Sequence, residues 1–197
     1  MSAKTVSIAA LAAAALALVA VGLVQLADST PKTLAPAALT PAQAQARLAG
    51  SPAPLAALHA QADELLGGGL PALRARLAAL RGTPVVINKW ASDCEPCRSE
   101  FPIFQRVSIS RGRQVAFIGI DSDESDRAEA LSFLRSFPVS YPSYYDHSGQ
   151  AGLAITDSAF TPVTVFLGRD GGEFIHQGAY PSVAKLEAAV ERYALDA

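Results

Sequence analysis

A basic excess is absent from this sequence: 16 Lys and Arg are outnumbered by 18 Asp and Glu, for a formal net charge of −2 over 197 residues. Nucleic-acid domains gather their basic residues into a stripe or patch. Here they are scattered, which excludes a nucleic-acid partner. Cysteine is almost absent too, with Cys94 and Cys97 alone, and the three histidines His59, His147 and His176 form no paired motif. A structural zinc site needs four ligands at suitable spacing, so the composition leaves no metal site. The acidic run Asp121-Ser122-Asp123-Glu124-Ser125-Asp126 has Asp126 and Ser132 where a calcium loop of the EF-hand type needs Gly and Glu. It reads instead as a solvated loop that caps a helix.

Long apolar runs are lacking except at the start, where Val6 to Ala27 is interrupted only by Ser7, Gly22 and Gln25. As a helix this run would be ~33 Å long, enough to cross a hydrocarbon core of ~30 Å. A cleaved secretory signal is the competing reading. Its apolar stretch is usually shorter, and Val24-Gln25-Leu26-Ala27 offers no clean small-x-small cleavage site, so an uncleaved anchor is expected. Either reading places the body of the protein outside the cytoplasm, with Lys4 and the amino terminus on the inner side. The expected location is thus the cell membrane, single-pass, with the globular part extracytoplasmic. The segment holds no cysteine, which excludes a lipid-modified cysteine anchor.

Residues 28–54, rich in Ala, Pro, Ser, Thr and Gln, read as a linker with one helical turn near Ala42 to Leu48. Leu55, Leu58, Ala62 and Leu65, then Leu70, Leu73, Leu77 and Leu80, recur at helical spacing and predict a helical extension over 55–81. From 82 to 197 strand and helix alternate. Strands are expected at Pro84 to Trp90, Val115 to Ile120, Tyr141 to Tyr145, Val163 to Leu167 and Glu173 to His176. Helices are expected near Glu95 to Ser108, kinked by Pro102, then from Asp126, at Gln150 to Ile155 and at Ser182 to Ala194. This is an α/β pattern, a mixed central sheet with helices on both faces.

The two cysteines stand as Cys94-Glu95-Pro96-Cys97, directly after the first strand and at the mouth of a helix. There the unpaired backbone N–H groups and the positive end of the helix dipole favour a thiolate. Outside the cytoplasm a cysteine pair is usually structural, but a bridge over two residues closes too short a loop to restrain the unfolded chain much. The pattern therefore points to disulfide exchange, with Cys94 attacking and Cys97, one turn on and more buried, resolving the mixed disulfide. Pro96 falls in the first turn, where proline is tolerated.

The segment Trp90-Ala91-Ser92-Asp93-Cys94-Glu95-Pro96-Cys97-Arg98-Ser99-Glu100-Phe101-Pro102 resembles the active-site segment of TlpA/ResA-type thiol-disulfide oxidoreductases of the thioredoxin superfamily. The resemblance continues through Phe117-Ile118-Gly119-Ile120-Asp121, Phe160-Thr161-Pro162-Val163-Thr164-Val165-Phe166 and the Gly171-Gly172 turn. It implies a thioredoxin-like fold and a protein thiol-disulfide oxidoreductase whose only redox group is the Cys94–Cys97 disulfide, with no cofactor. It implies that Pro162 is the cis-proline facing the dithiol, that Thr161 presents its backbone to an extended substrate, and that Trp90 belongs to the same substrate-binding set. Glu100 matches the acidic residue that tunes the thiols, with Asp93 and Glu95 as further modulators; a solvated helix charge is the alternative reading of Glu100. Asn88 stands where cytoplasmic thioredoxins carry a buried Asp. Asp93 departs from the aromatic residue usual before the first cysteine. A carboxylate ~6 Å from the sulfur opposes the thiolate by roughly 0.7 kcal/mol in water or ~2.8 at an effective dielectric of 20, so a raised Cys94 pKa and slower reaction are expected.

The partners implied are protein disulfides or dithiols, apocytochrome c among the candidates, and a separate membrane electron-transfer protein that supplies electrons. A thiol oxidase and a non-catalytic thioredoxin-like binding module at the membrane remain as alternatives. A peroxiredoxin is disfavoured because its Pro-x-x-x-Thr/Ser-x-x-Cys motif is missing.

Overall fold

The computed structural model describes residues 39–196. The expected membrane segment and the first part of the expected linker, 28–38, lie outside them, and among the described residues no helix is long and apolar enough to cross a membrane. The elements run α1 (Pro41–Arg47), α2 (Ala53–His59), β1 (Leu65–Leu66), α3 (Gly69–Ala79), β2 (Val85–Trp90), α4 (Glu95–Arg111) and β3 (Ala116–Ser122). There follow α5 (Arg127–Ser136), β4 (Ser143–Asp146), α6 (Gln150–Ile155), β5 (Val163–Leu167), β6 (Glu173–Gln177), α7 (Val183–Val190) and a π-helical turn, Glu191–Leu195.

The six strands form one sheet in the order β1-β4-β3-β2-β5-β6. The first four are mutually parallel, whereas β5 runs antiparallel to β2 and β6 antiparallel to β5. Every residue of β2 is buried, as expected of a central strand covered on both faces. Side-chain alternation divides it between two cores. Val86 and Trp90 point to one with Phe101, Phe104, Phe117, Phe133, Phe166 and Leu186. Val85 and Ile87 point to the other with Leu55, Leu73, Ile118, Ile120, Val163 and Val165. Thus α4, α5 and α7 cover one face and α2, α3 and α6 the other, a thioredoxin-like α/β arrangement.

Two departures from the sequence reading have local causes. The helical spacing through Leu65 is not followed, because α2 ends at His59 and Asp63 takes a positive φ of 63°. Leu65 and Leu66 then pair in parallel with Ser143 and Tyr144 as an edge strand, and Arg127 donates to the Leu65 carbonyl. At the end of the Pro-rich stretch, prolines start helices: Pro41 and Pro54 sit in the first turns of α1 and α2, where the missing N–H costs nothing. Thr40 and Gln43 close a reciprocal capping box on α1. Gln105 Nε2 donates to the Leu39 carbonyl at 2.9 Å and ties this segment to α4.

Helix α4 continues through Pro102 to Arg111. Gly119, on β3 beside the active-site strand, is needed for close approach: a Cβ there would collide with Ser143 Oγ and lie 3.0 Å from Trp90 Nε1.

Candidate active site

Strand β2 ends at Trp90, three residues turn the chain, and Cys94 becomes the N-cap of α4 with extended backbone (φ −77°, ψ 101°). Its sulfur accepts from the Cys97 N–H at 3.2 Å, and its carbonyl receives the N–H groups of Cys97 and Arg98. A sulfur so placed takes the role of a capping oxygen, and the donor that caps it would hydrogen-bond a thiolate once the bridge is reduced. Cys94 and Cys97 form a disulfide with Cα atoms 5.3 Å apart. Exposure separates them: Cys94 retains 8% and Cys97 none. Cys94 is thus the sulfur at the surface and Cys97 the covered one.

The turn that carries the dithiol is held from two sides. Ser92 N–H donates to Glu124 Oε2 at 3.1 Å, and Arg98 Nη2 donates to the Ser92 carbonyl at 2.8 Å. Arg98 also lies over the Phe133 ring, 5.6 Å from its centre. Glu124 is therefore no solvated loop residue; it is buried at 7% exposure because it replaces water for a backbone donor. Sequence reasoning missed this role, since Glu124 sat within a run of acidic residues. Asp126 does cap α5, accepting from Ala128 N–H at 2.7 Å.

Thr161–Pro162 is a cis peptide bond, immediately before β5, whose Val163 registers opposite Lys89 of β2. The antiparallel pairing brings the start of β5 to the end of β2, so the cis-proline and the dithiol share one end of the sheet. Thr161 is half-buried and Pro162 buried.

Trp90 is a correction. It is wholly buried, stacked on Phe133 with ring centres 4.8 Å apart and edge-on to Phe101 at 5.3 Å, while its Nε1 donates to Ser143 Oγ at 3.2 Å. Such aromatic pairs add about 0.5–1.5 kcal/mol beyond their buried area. Trp90 thus supports the active-site strand from below and does not meet substrate.

The three acidic modulators divide. Asp93 and Glu95 are exposed, Glu95 pairing with Arg98 at 3.3 Å. Asp93 lines a cavity of about 330 Å³ with Ser92, Arg98, Glu129 and Phe133. Glu100 is fully buried, which overturns the alternative of a solvated helix charge. Its Oε2 accepts from Tyr180 N–H at 3.2 Å while Oε1 has no partner. Burial pushes its pKa up to about 8, against the Tyr180 N–H, which favours the ionised form. Near neutral pH Glu100 is therefore mostly protonated and adds little charge to the dithiol's surroundings. Asn88 Nδ2 and Oδ1, Tyr141 Oη and Thr164 Oγ1 also lack hydrogen-bond partners in the same buried layer.

Asp121 is buried as well, with neither carboxylate oxygen partnered. Burial, and then the Glu124 charge, raise its pKa to about 8, with Arg127 opposing and Asp146 adding to the rise. Among the described residues no group of His, Cys, Asp or Glu is arranged to hold a metal ion.

A buried strand that delivers a disulfide to a helix N-terminus, with a cis-proline at the same sheet end, defines a thioredoxin-like dithiol protein. The chain belongs to the Redoxin family, whose pattern matches residues 49–188. Within the thioredoxin superfamily it is ResA-like. The thiol-disulfide oxidoreductase ResA of Bacillus subtilis (strain 168) is 29% identical over 99 residues, covering 50% of this chain and 54% of that protein. The thiol:disulfide interchange protein DsbE of Pseudomonas fluorescens biotype C is 32% identical over 119 residues, covering 58% of each. The chain thus spans about half the length of the curated relatives it matches. Among solved structures, MTB DsbF superposes with a TM-score of 0.53 at 24% identity, over 59% of this chain and 84% of that one. A putative protein disulfide isomerase from Bacteroides thetaiotaomicron gives 0.52 at 25%, over 60% and 78%.

Proposed function

We propose that this protein is an extracytoplasmic thiol-disulfide oxidoreductase, held at the membrane by its N-terminal apolar segment, that reduces disulfides of secreted or membrane proteins. The observation that carries the reading is the unequal exposure of a bonded pair at a helix N-terminus, 8% for Cys94 and none for Cys97. In the reduced enzyme the Cys94 thiolate attacks a substrate disulfide. A Cys94–substrate S–S bond forms, the substrate S–S bond breaks, and one substrate sulfur leaves as thiolate. Cys97, deprotonated, then attacks Cys94 Sγ, closing the Cys94–Cys97 bond and releasing the second substrate thiolate. Two electrons have moved to the substrate, and a donor dithiol must return them. A membrane electron-transfer protein outside this chain fits that role.

The direction is supported by charge. Exposed Asp93 and the Glu95 carboxylate beside Cys94 offset part of the thiolate stabilisation that the helix N-terminus gives, and a less stabilised reduced form gives up electrons more readily. Apocytochrome c cysteines are among the substrates this reading admits.

Reduction of insulin disulfides by the full chain tests the proposal. Turnover well above a Cys94→Ser control is expected, and a Cys97→Ser variant should accumulate a mixed disulfide that names its substrate. Activity no higher than the control would leave a binding module as the better reading, and a potential as high as that of a strong oxidant would reverse the direction.

A further inference from the structure

Lys89 is the residue before Trp90 on β2, and its side chain points to the core opposite the aromatic cluster, where it is only 2% exposed. Burial of an ammonium is costly unless its donors and charge are answered. Here Nζ donates to the Ser158 carbonyl at 2.6 Å. Burial lowers the Lys89 pKa, while Asp146 and Asp123 act through space to favour the charged form. Space is cleared for it as well: a Cβ on Gly152 would lie 2.9 Å from Lys89 Cε, and Asp146 Oδ2 holds the Gly152 N–H at 2.8 Å.

The position of Ser158 gives this contact its meaning. Ser158, Ala159, Phe160, Thr161 and Pro162 form the stretch that ends in the cis bond, and Val163 beyond it registers with the backbone of Lys89 itself. One residue therefore fastens the stretch at both ends, through its side chain at Ser158 and through the strand ladder at Val163. Internal ties stiffen it: Ser158 N–H donates to Thr156 Oγ1 at 3.2 Å and Phe160 N–H to Ser158 Oγ at 3.3 Å. At its crest Phe160 is 77% exposed, a large apolar ring that nothing among the described residues covers.

We propose that Lys89 is a positioning residue for the exchange reaction: its ammonium holds the Ser158–Pro162 stretch at a fixed height beside Cys94, so that a protein substrate can lay its backbone along it and cover Phe160. This rests on the oxidoreductase reading and adds to it the element that sets substrate affinity. Lys89 does not touch the reacting sulfurs, so its removal leaves the chemistry of Cys94 intact and loosens only the surface on which a polypeptide docks. A small disulfide, needing no such surface, is indifferent to it.

The test uses the full chain with Lys89→Met and two disulfides, insulin and dithionitrobenzoate. The expected result is a fall of about tenfold in kcat/KM for insulin, carried by KM, less than the roughly hundredfold that misplacing the reacting groups themselves by 1 Å can cost. The rate of reduced Cys94 with dithionitrobenzoate should stay within about twofold, and amide exchange at Ser158 and Phe160 should quicken. Equal losses with both disulfides would make Lys89 a merely structural residue, and unchanged insulin kinetics would overturn the proposal. Should the Met variant not fold, Lys89→Gln, which keeps a neutral donor on a shorter stem, is read by the same criteria. A wild type inert towards insulin but reactive with dithionitrobenzoate would refute the oxidoreductase reading. The amide-exchange comparison would still report whether Lys89 holds the stretch.

Discussion

The Ser92 N–H and Glu124 Oε2 meet at 3.1 Å across 32 residues of chain, joining the turn that bears the dithiol to the loop that follows β3. Glu124→Ala leaves a buried backbone donor without a partner, which costs about 1–3 kcal/mol. A lowered melting temperature and slower insulin reduction are expected. Glu124→Gln keeps an acceptor oxygen and should recover most of both; failure of Gln to do better than Ala would show that charge, and not the hydrogen bond, is what the loop requires.

Buried carboxyls make stability depend on pH with a definite sign. Glu100 is raised from 4.5 to about 8 and Asp121 from 3.8 to about 8. Well below the unfolded value of 3.8 both are protonated folded and unfolded, and burying them carries no charge penalty. Between roughly pH 4 and 8 the unfolded chain releases protons that the folded protein retains, so stability falls with rising pH, at up to about 1.4 kcal/mol per pH unit for each group. Above about 8 the slope flattens. Urea denaturation of the oxidised protein across this range should show the decline, and Glu100→Gln should flatten its share. A Gln variant with an undiminished slope would assign the effect elsewhere.

Asp93 is exposed, so water screens it and the smaller of the two charge effects applies, roughly 0.7 kcal/mol at ~6 Å or about half a pH unit. Asp93→Asn should lower the midpoint of the Cys94 thiolate absorbance by about that much and speed reaction with small disulfides near neutral pH. A midpoint that rises on substitution would contradict the charge argument.

Gly119→Ala places a methyl against Ser143 Oγ and the Trp90 indole nitrogen. Overpacking of this kind costs about 1–3 kcal/mol. Thermal denaturation should show the loss, and because Trp90 is the sole tryptophan, its fluorescence should report the displaced indole. An unshifted spectrum with unchanged stability would mean the sheet can yield there.

The dithiol, its strand and its helix were legible in the sequence because they are local: a buried apolar run, a spacing of two residues and a proline in a first turn suffice. The cis Thr161–Pro162 bond followed only from resemblance, which gave Glu100 a tuning role but not its burial, since nothing near Glu100 in the chain announces the Tyr180 N–H that meets it. Trp90 was misread because an aromatic beside reactive cysteines resembles a surface contact, whereas strand alternation turns it towards Phe101 and Phe133. Lys89 and Glu124 were passed over as ordinary charges; their partners, Ser158 and Ser92, lie 69 and 32 residues away. Helical leucine spacing concealed β1, because Leu65 and Leu66 fit either state until Ser143 and Tyr144 arrive beside them.

That two-residue β1 also bears on how the molecule meets its own copies. It closes one margin of the sheet with too short a ladder to template another chain, a recognised guard against aggregation. The opposite margin is β6, five residues long, with Glu173, Ile175 and Gln177 outward. Strand-to-strand self-association has only that margin to use among the described residues, and Glu173 puts a charge at its entrance.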